Sequence, residues 1–177
     1  DFKSGAQAKE PYLSLNPKGR VPTLETQDGS LLTETGAILE YIGTLAPQAG
    51  LVPADPIKAA HMRSTMYYLA STMHVNHAHK LRGHRWADDP ASLKDMSAKV
   101  PQTMTDSARY LADHCLLGDF ITGDTPSLAD PYAYMVCSWL ETDGVAMSDF
   151  PTIAAFLQRM TARASVQSVL AQGMLAA

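Results

Sequence analysis

Glu34 and Thr35 set an acid beside a hydroxyl, directly after the apolar pair Leu31-Leu32 and directly before a run with helical spacing. Ala37, Ile38, Tyr41, Ile42 and Leu45 recur near the 3.6-residue period, which predicts a helix with Thr35 as its N-cap. The first N–H groups of a helix have no partner within it and carry partial positive charge, so they suit a carboxylate. The Thr35 hydroxyl can donate to the same anion, while Glu34 can accept from an ammonium. Together they match the amino-acid end of a γ-glutamyl peptide, although a plain helix cap would use the same residues.

A second feature lies a dozen residues upstream, in Asn16-Pro17-Lys18-Gly19-Arg20-Val21-Pro22-Thr23-Leu24. Pro22 enters a strand just after a glycine-containing turn, and because proline donates no ladder hydrogen bond it belongs at a strand start or bend. A cis bond before Pro22 would present the Val21 N–H and C=O outward, where an extended peptide could pair with them. The other reading is a proline-initiated edge strand with no ligand.

These residues need elements to hold them. Thr23–Gln27 and Ser30–Thr33 flank Asp28-Gly29, a two-residue hairpin signal, so the hairpin brings Val21 and Glu34-Thr35 to one edge. Residues 46 to 56 hold three prolines and a glycine and read as a linker. Beyond it the pattern is helical. Met62, Met66, Leu69, Met73 and His77 share one face, with the methionines as core filler rather than a metal surface. Leu93, Met96, Val100, Met104, Leu111 and Cys115 suggest a second helix with a kink at Pro101. Ala129, Tyr132, Ala133, Val136, Trp139 and Leu140 mark a third, Ile153, Phe156, Leu157 and Met160 a fourth, and Val166 to Leu175 a last. The expected organisation is a partial α/β domain over residues 1–46, a linker over 47–56 and an all-α bundle over 57–177. A hairpin and one helix bury too little surface to stand alone.

Composition narrows the partners. With 46% apolar and 18% charged residues the chain of 177 is expected to bury a core, and the net charge of -4 without a basic run argues against nucleic acid. No apolar stretch approaches the ~20 residues of a bilayer span, and the first residues do not resemble a signal peptide. Two cysteines, Cys115 and Cys137, sit in apolar helical patterns and are expected to be buried thiols of a cytoplasmic protein. His74, His77 and His79 do not converge with a carboxylate or cysteine at ligand spacing, so no metal site is expected.

The run Asn16–Leu24, Asp28-Gly29 and Leu32-Thr33-Glu34-Thr35-Gly36-Ala37-Ile38 resembles the glutathione-binding half of the thioredoxin-like domain of glutathione transferases. The likeness continues along nearly the whole chain. Ser127-Leu128-Ala129-Asp130 resembles the family's capping box in the helix that organises the C-terminal domain. Pro126 and Pro131 stand at the usual staple positions, which would shift or weaken that cap. Asn16-Pro17-Lys18-Gly19, Trp139 and the ending Ala164–Gln167 to Gly173–Leu175 are most similar to the bacterial beta class. In that class a histidine beside the thiol site falls at His74, although Val75 replaces a common lysine.

The resemblance implies a thioredoxin-like α/β domain followed by a helical bundle, with glutathione as co-substrate and small electrophiles as acceptors. It implies a homodimer. Glutathione would be held by Val21, Pro22, Glu34 and Thr35, with Lys3 or Lys18 at a carboxylate, and Tyr67, His74 and Trp139 would line the acceptor site. In the family a first βα unit, roughly 25–30 residues, carries the thiol-activating Ser, Tyr or Cys. By that correspondence the catalytic residue is expected upstream of Asp1, because nothing in this sequence matches it. The same platform also serves glutathione-dependent disulfide reductases and non-catalytic binding or assembly proteins.

Overall fold

The structure is a computed structural model that describes residues 4–173. The chain divides into two compact units, Asp1–Gly50 and Leu51–Ala177. In the first, a short helix α1 (Tyr12–Leu15) precedes the antiparallel strands β1 (Thr23–Glu25) and β2 (Leu31–Thr33), and α2 (Thr35–Leu45) follows at once. The register pairs Thr23 with Thr33, Leu24 with Leu32 and Glu25 with Leu31.

The hairpin forms where the sequence places it, but not through a two-residue turn. The Thr26 N–H donates to Ser30 O at 2.9 Å and the Gly29 N–H to Thr26 O at 3.0 Å, with Gly29 at φ 82°. Asp28 keeps a negative φ, so the loop is a three-residue turn closed by a left-handed glycine rather than a mirror-image turn that would need both residues at positive φ. The buried stripe of α2 also differs from the expected one. Ile38 and Gly43 are buried, whereas Ile42 and Leu45 are exposed. A two-stranded ribbon is narrow and covers only one stripe of a helix.

The second unit is helical. α3 (Pro56–Tyr68) begins with Pro56 in its first turn, and the Asp55 carboxylate caps it by accepting from the Ile57 and Lys58 N–H groups, both at 2.9 Å. It runs through a π-helical turn, Leu69–Met73, into α4 (His74–Arg82). α5 (Pro90–Tyr110) is capped by Asp89, which accepts from the Ser92 N–H, and ends in a second π turn, Leu111–Cys115. α6 (Ala129–Cys137), α7 (Pro151–Thr161) and α8 (Ala164–Ala171) complete the unit. Met62, Met66, Leu69, Met73, Met104, Leu111, Leu140 and Ile153 are all essentially inaccessible and form its core. The methionine stripe is therefore core, as its helical spacing implies.

α5 carries Pro101 in its interior, as expected, and the Pro101 ring abuts Gly144, where an added Cβ would meet its Cγ at 3.1 Å. Two expectations shift in detail. α6 stops at Cys137, so Trp139 and Leu140 lie in the tight turns that follow rather than on the helix. α8 ends at Ala171, and Leu175 lies outside the described residues.

Candidate functional site

The loop before β1 is built around Asn16, which is buried. Its amide donates to Arg20 O at 2.6 Å, its Oδ1 accepts from the Lys18 N–H at 3.2 Å, and its carbonyl accepts from the Gly19 N–H at 2.9 Å. The Tyr12 hydroxyl also donates to Arg20 O, at 2.7 Å, and lies 2.8 Å from Thr23 Oγ1. Gly19 closes the turn at φ 60°, and a Cβ there would press on Gln7 O at 3.2 Å. Two side chains thus hold the single carbonyl that precedes Val21. Val21 itself is half exposed (49%), precedes a cis proline bond, and makes no backbone hydrogen bond among the described residues.

At the far end of the hairpin Glu34 has φ 73° and ψ 123°, the one non-glycine positive φ among the described residues. Such a conformation costs roughly 1–3 kcal/mol and persists where surrounding structure imposes it. Glu34, not Thr35, is the residue flanking α2, and Thr35 is its first helical residue, because the kink at Glu34 starts the helix one residue earlier than its sequence suggests. No side chain caps this end, so the leading N–H groups of α2 are available to an anion. Lys18 reaches the same place: its ammonium contacts the Glu34 carboxylate and donates to Thr33 Oγ1 at 2.9 Å. A carboxylate, a hydroxyl, an ammonium and a helix N-terminus therefore meet at one edge, and an amino acid's two charged groups would find partners there. The edge is a ledge rather than a cavity. A concavity of about 380 Å³ in this unit is lined by Ser4–Leu15 residues and includes none of these groups.

In the helical unit the structure brings His74 and Trp139 together, with ring centroids 5.1 Å apart at 66°. Tyr67 stands on α3, is 64% exposed and joins no ring contact among the described residues. His77, Lys80 and Asp143, none of them expected to act, complete the group. The His77 ring stacks on Trp139 at 4.2 Å, and its Nδ1 lies 2.6 Å from Oδ2 of the buried Asp143. Lys80 bonds the Thr142 carbonyl and lies 3.3 Å from the other Asp143 oxygen.

Against known proteins, the glutathione S-transferase N-terminal domain matches residues 1–44 and its C-terminal domain residues 92–164. A crystal structure of a glutathione transferase homologue from Sulfitobacter, with bound glutathione, is 55% identical and superposes with a TM-score of 0.97 over 99% of this chain and 84% of that one. The chain belongs to the glutathione S-transferase family. A beta-class glutathione S-transferase from Sphingomonas chungbukensis is 27% identical, with a TM-score of 0.80 over 97% of this chain and 85% of that one. A maleylacetoacetate isomerase of Pseudomonas aeruginosa is 30% identical over 156 residues, 86% of this chain and 72% of its own length.

In this member of the glutathione S-transferase family the capping box is present in modified form. The Asp130 carboxylate accepts from the Ser127 N–H at 2.6 Å, the Ser127 hydroxyl at 2.8 Å and the Ile121 N–H at 2.9 Å. Regular helix begins only at Ala129, with Leu128 flanking it, so the box sits one residue ahead of the usual position. Pro131 falls in the first turn, where a missing N–H costs nothing. Burial pushes the Asp130 carboxyl above its ordinary value, and the three donors oppose that shift.

Both cysteines are buried in the family's helical domain. Burial raises the Cys115 thiol and pushes Cys137 up to about 12, so neither supplies a thiolate near neutrality. Among the described residues no group of three or more His, Cys, Asp or Glu is arranged to hold a metal ion. Lys3 lies outside the described residues.

Proposed function

We propose that this family member conjugates the thiol of glutathione to small electrophiles, and that Glu34, Thr35 and Val21 hold the tripeptide. The observation that carries this reading is the convergence at the start of α2, where a strained Glu34, the uncapped helix N-terminus and Lys18 meet. Glu34 would accept from the γ-glutamyl ammonium, while Thr35 and the leading N–H groups of α2 would take its carboxylate. The Val21 N–H and C=O would pair with the peptide's central residue, and Pro22 would shape that approach. A relative at 55% identity solved with glutathione supports the same ligand. His74 and Trp139 are the proposed acceptor wall, with Tyr67, exposed on α3, as a further candidate. A cytoplasmic homodimer belongs to this reading by the family resemblance. The thiol acquires its nucleophilicity by losing its proton, after which sulfur bonds to the electrophile and the leaving group departs with its electron pair.

Retention on glutathione-agarose together with turnover of a chlorodinitrobenzene tests the reading. Retention without turnover would sink conjugation, and activity on glutathione disulfides instead would make the protein a reductase. The likeness to a maleylacetoacetate isomerase favours a second reading, isomerisation of that relative's substrate. Turnover of maleylacetoacetate with glutathione unconsumed would establish it.

A further inference from the structure

The helical unit contains a closed circuit of contacts that holding a tryptophan does not by itself require. The Asp143 side chain is wholly buried and accepts from His77 Nδ1 at 2.6 Å. The His77 ring lies on the Trp139 indole at 4.2 Å and 23°. The Trp139 carbonyl closes the circuit, accepting from the Asp143 N–H at 2.9 Å and from the Thr142 hydroxyl at 2.8 Å. Lys80 holds the second Asp143 oxygen and the Thr142 carbonyl. His74 then meets the indole edge-on, 5.1 Å away.

A buried carboxylate is costly, and apolar packing alone could hold a tryptophan in place. What the carboxylate adds is direction. A bond to Nδ1 places a proton on that nitrogen and sets the plane of the ring, and the ring plane in turn sets the face of the indole lying against it. The π turn preceding His74 contributes as well, since the His74 N–H donates to Leu69 O, five residues back, and so sets the rotation with which α4 presents His74 and His77.

We propose that Asp143, acting through the ring of His77, is a positioning residue for Trp139, and that this pair sets the acceptor wall on which His74 stands. The inference rests on the reading that places the acceptor at His74 and Trp139. Neither Asp143 nor His77 touches substrate in this account, and both act through the indole.

The test is steady-state kinetics with a chlorodinitrobenzene, varying acceptor and glutathione in turn, together with Trp139 emission in a Trp86→Phe background where it is the only tryptophan. His77→Phe keeps a ring against the indole and removes the bond to Asp143. The expected result is an acceptor KM raised about fivefold with the glutathione KM within about twofold, and a shifted Trp139 emission. Asp143→Asn is expected to do the same, and if it fails to fold His77→Phe carries the test alone. Unchanged acceptor KM and unchanged emission in His77→Phe would overturn the proposal. Trp139→Phe separates the two levels. If it raises the acceptor KM while His77→Phe does not, only the positioning role fails; if neither does, the acceptor-site reading fails and the inference falls with it.

Discussion

Lys18 and Glu34 are joined across the hairpin, the lysine ammonium contacting the glutamate carboxylate while it donates to Thr33 Oγ1 at 2.9 Å. The loop that presents Val21 is thereby tied to the helix start that carries Thr35, so the two halves of the platform are set against each other by one side chain. Both partners are substantially exposed, and such pairs contribute only about 0–1 kcal/mol to stability. The link therefore matters for geometry and charge rather than for folding.

Lys18→Met is expected to leave the melting temperature nearly unchanged, within about 2 °C, while weakening glutathione affinity about threefold. Calorimetric titration and a thermal melt on the same sample would check it. A large loss of stability with intact affinity would mean that the lysine serves the fold.

Glu34→Gly separates strain from binding. Glycine, lacking a Cβ, tolerates this positive φ at lower cost than alanine, so this variant is expected to be more stable than Glu34→Ala by about 1 kcal/mol, yet to lose glutathione as fully. Denaturant unfolding of both variants gives the difference. Equal stability would show that Glu34 carries no strain.

Much of the platform was legible because it is nearly contiguous. Asn16 to Thr35 spans one loop, one hairpin and one helix start, and turn chemistry, proline placement and end-of-helix polarity are all local signals. The His77–Asp143 pair was not legible, since its partners are 66 residues apart and meet only because α4 packs beside the turn after α6. The π turns escaped for a related reason. Met62, Met66, Leu69 and Met73 keep an ordinary helical spacing, and nothing in that pattern marks the wider turn from Leu69 to Met73 within it. The exposed Ile42 and Leu45 show the limit of periodicity, which finds an apolar face but not what covers it. The spacing from Val136 puts Trp139 on the helix, although α6 ends two residues before it.

Asp130 should dominate the folding of the helical unit. Asp130→Ala strands three buried donors, at an expected cost of about 3 kcal/mol, against about 1 kcal/mol for Ser127→Ala. Because burial raises the folded carboxyl above its ordinary 3.8, the folded state binds more protons than the unfolded one just above that pH. The contribution of this group to stability therefore falls as pH rises from 3.8 through the raised value. Unfolding free energies of the wild type and of Asp130→Asn across pH 3.5–7, a range of about 3.5 units, should converge on rising pH in that window. A widening gap would reverse the sign.

Thiol labelling should find the folded protein inert. Cys115 and Cys137 are buried with raised thiols, Cys137 up to about 12, so a disulfide reagent at pH ~8 is expected to modify neither until denaturant is added, and then both. Prompt labelling of either would place a reactive thiol in the helical unit and reopen its role.

The central claim is that glutathione's γ-glutamyl end is held where β2 meets α2. Titration calorimetry of glutathione into the wild type, Glu34→Ala and Thr35→Ala tests it most directly. Affinity is expected to fall at least tenfold in each variant, about 1.4 kcal/mol or more, with melting temperatures preserved. Wild-type affinity in either folded variant would contradict the assignment.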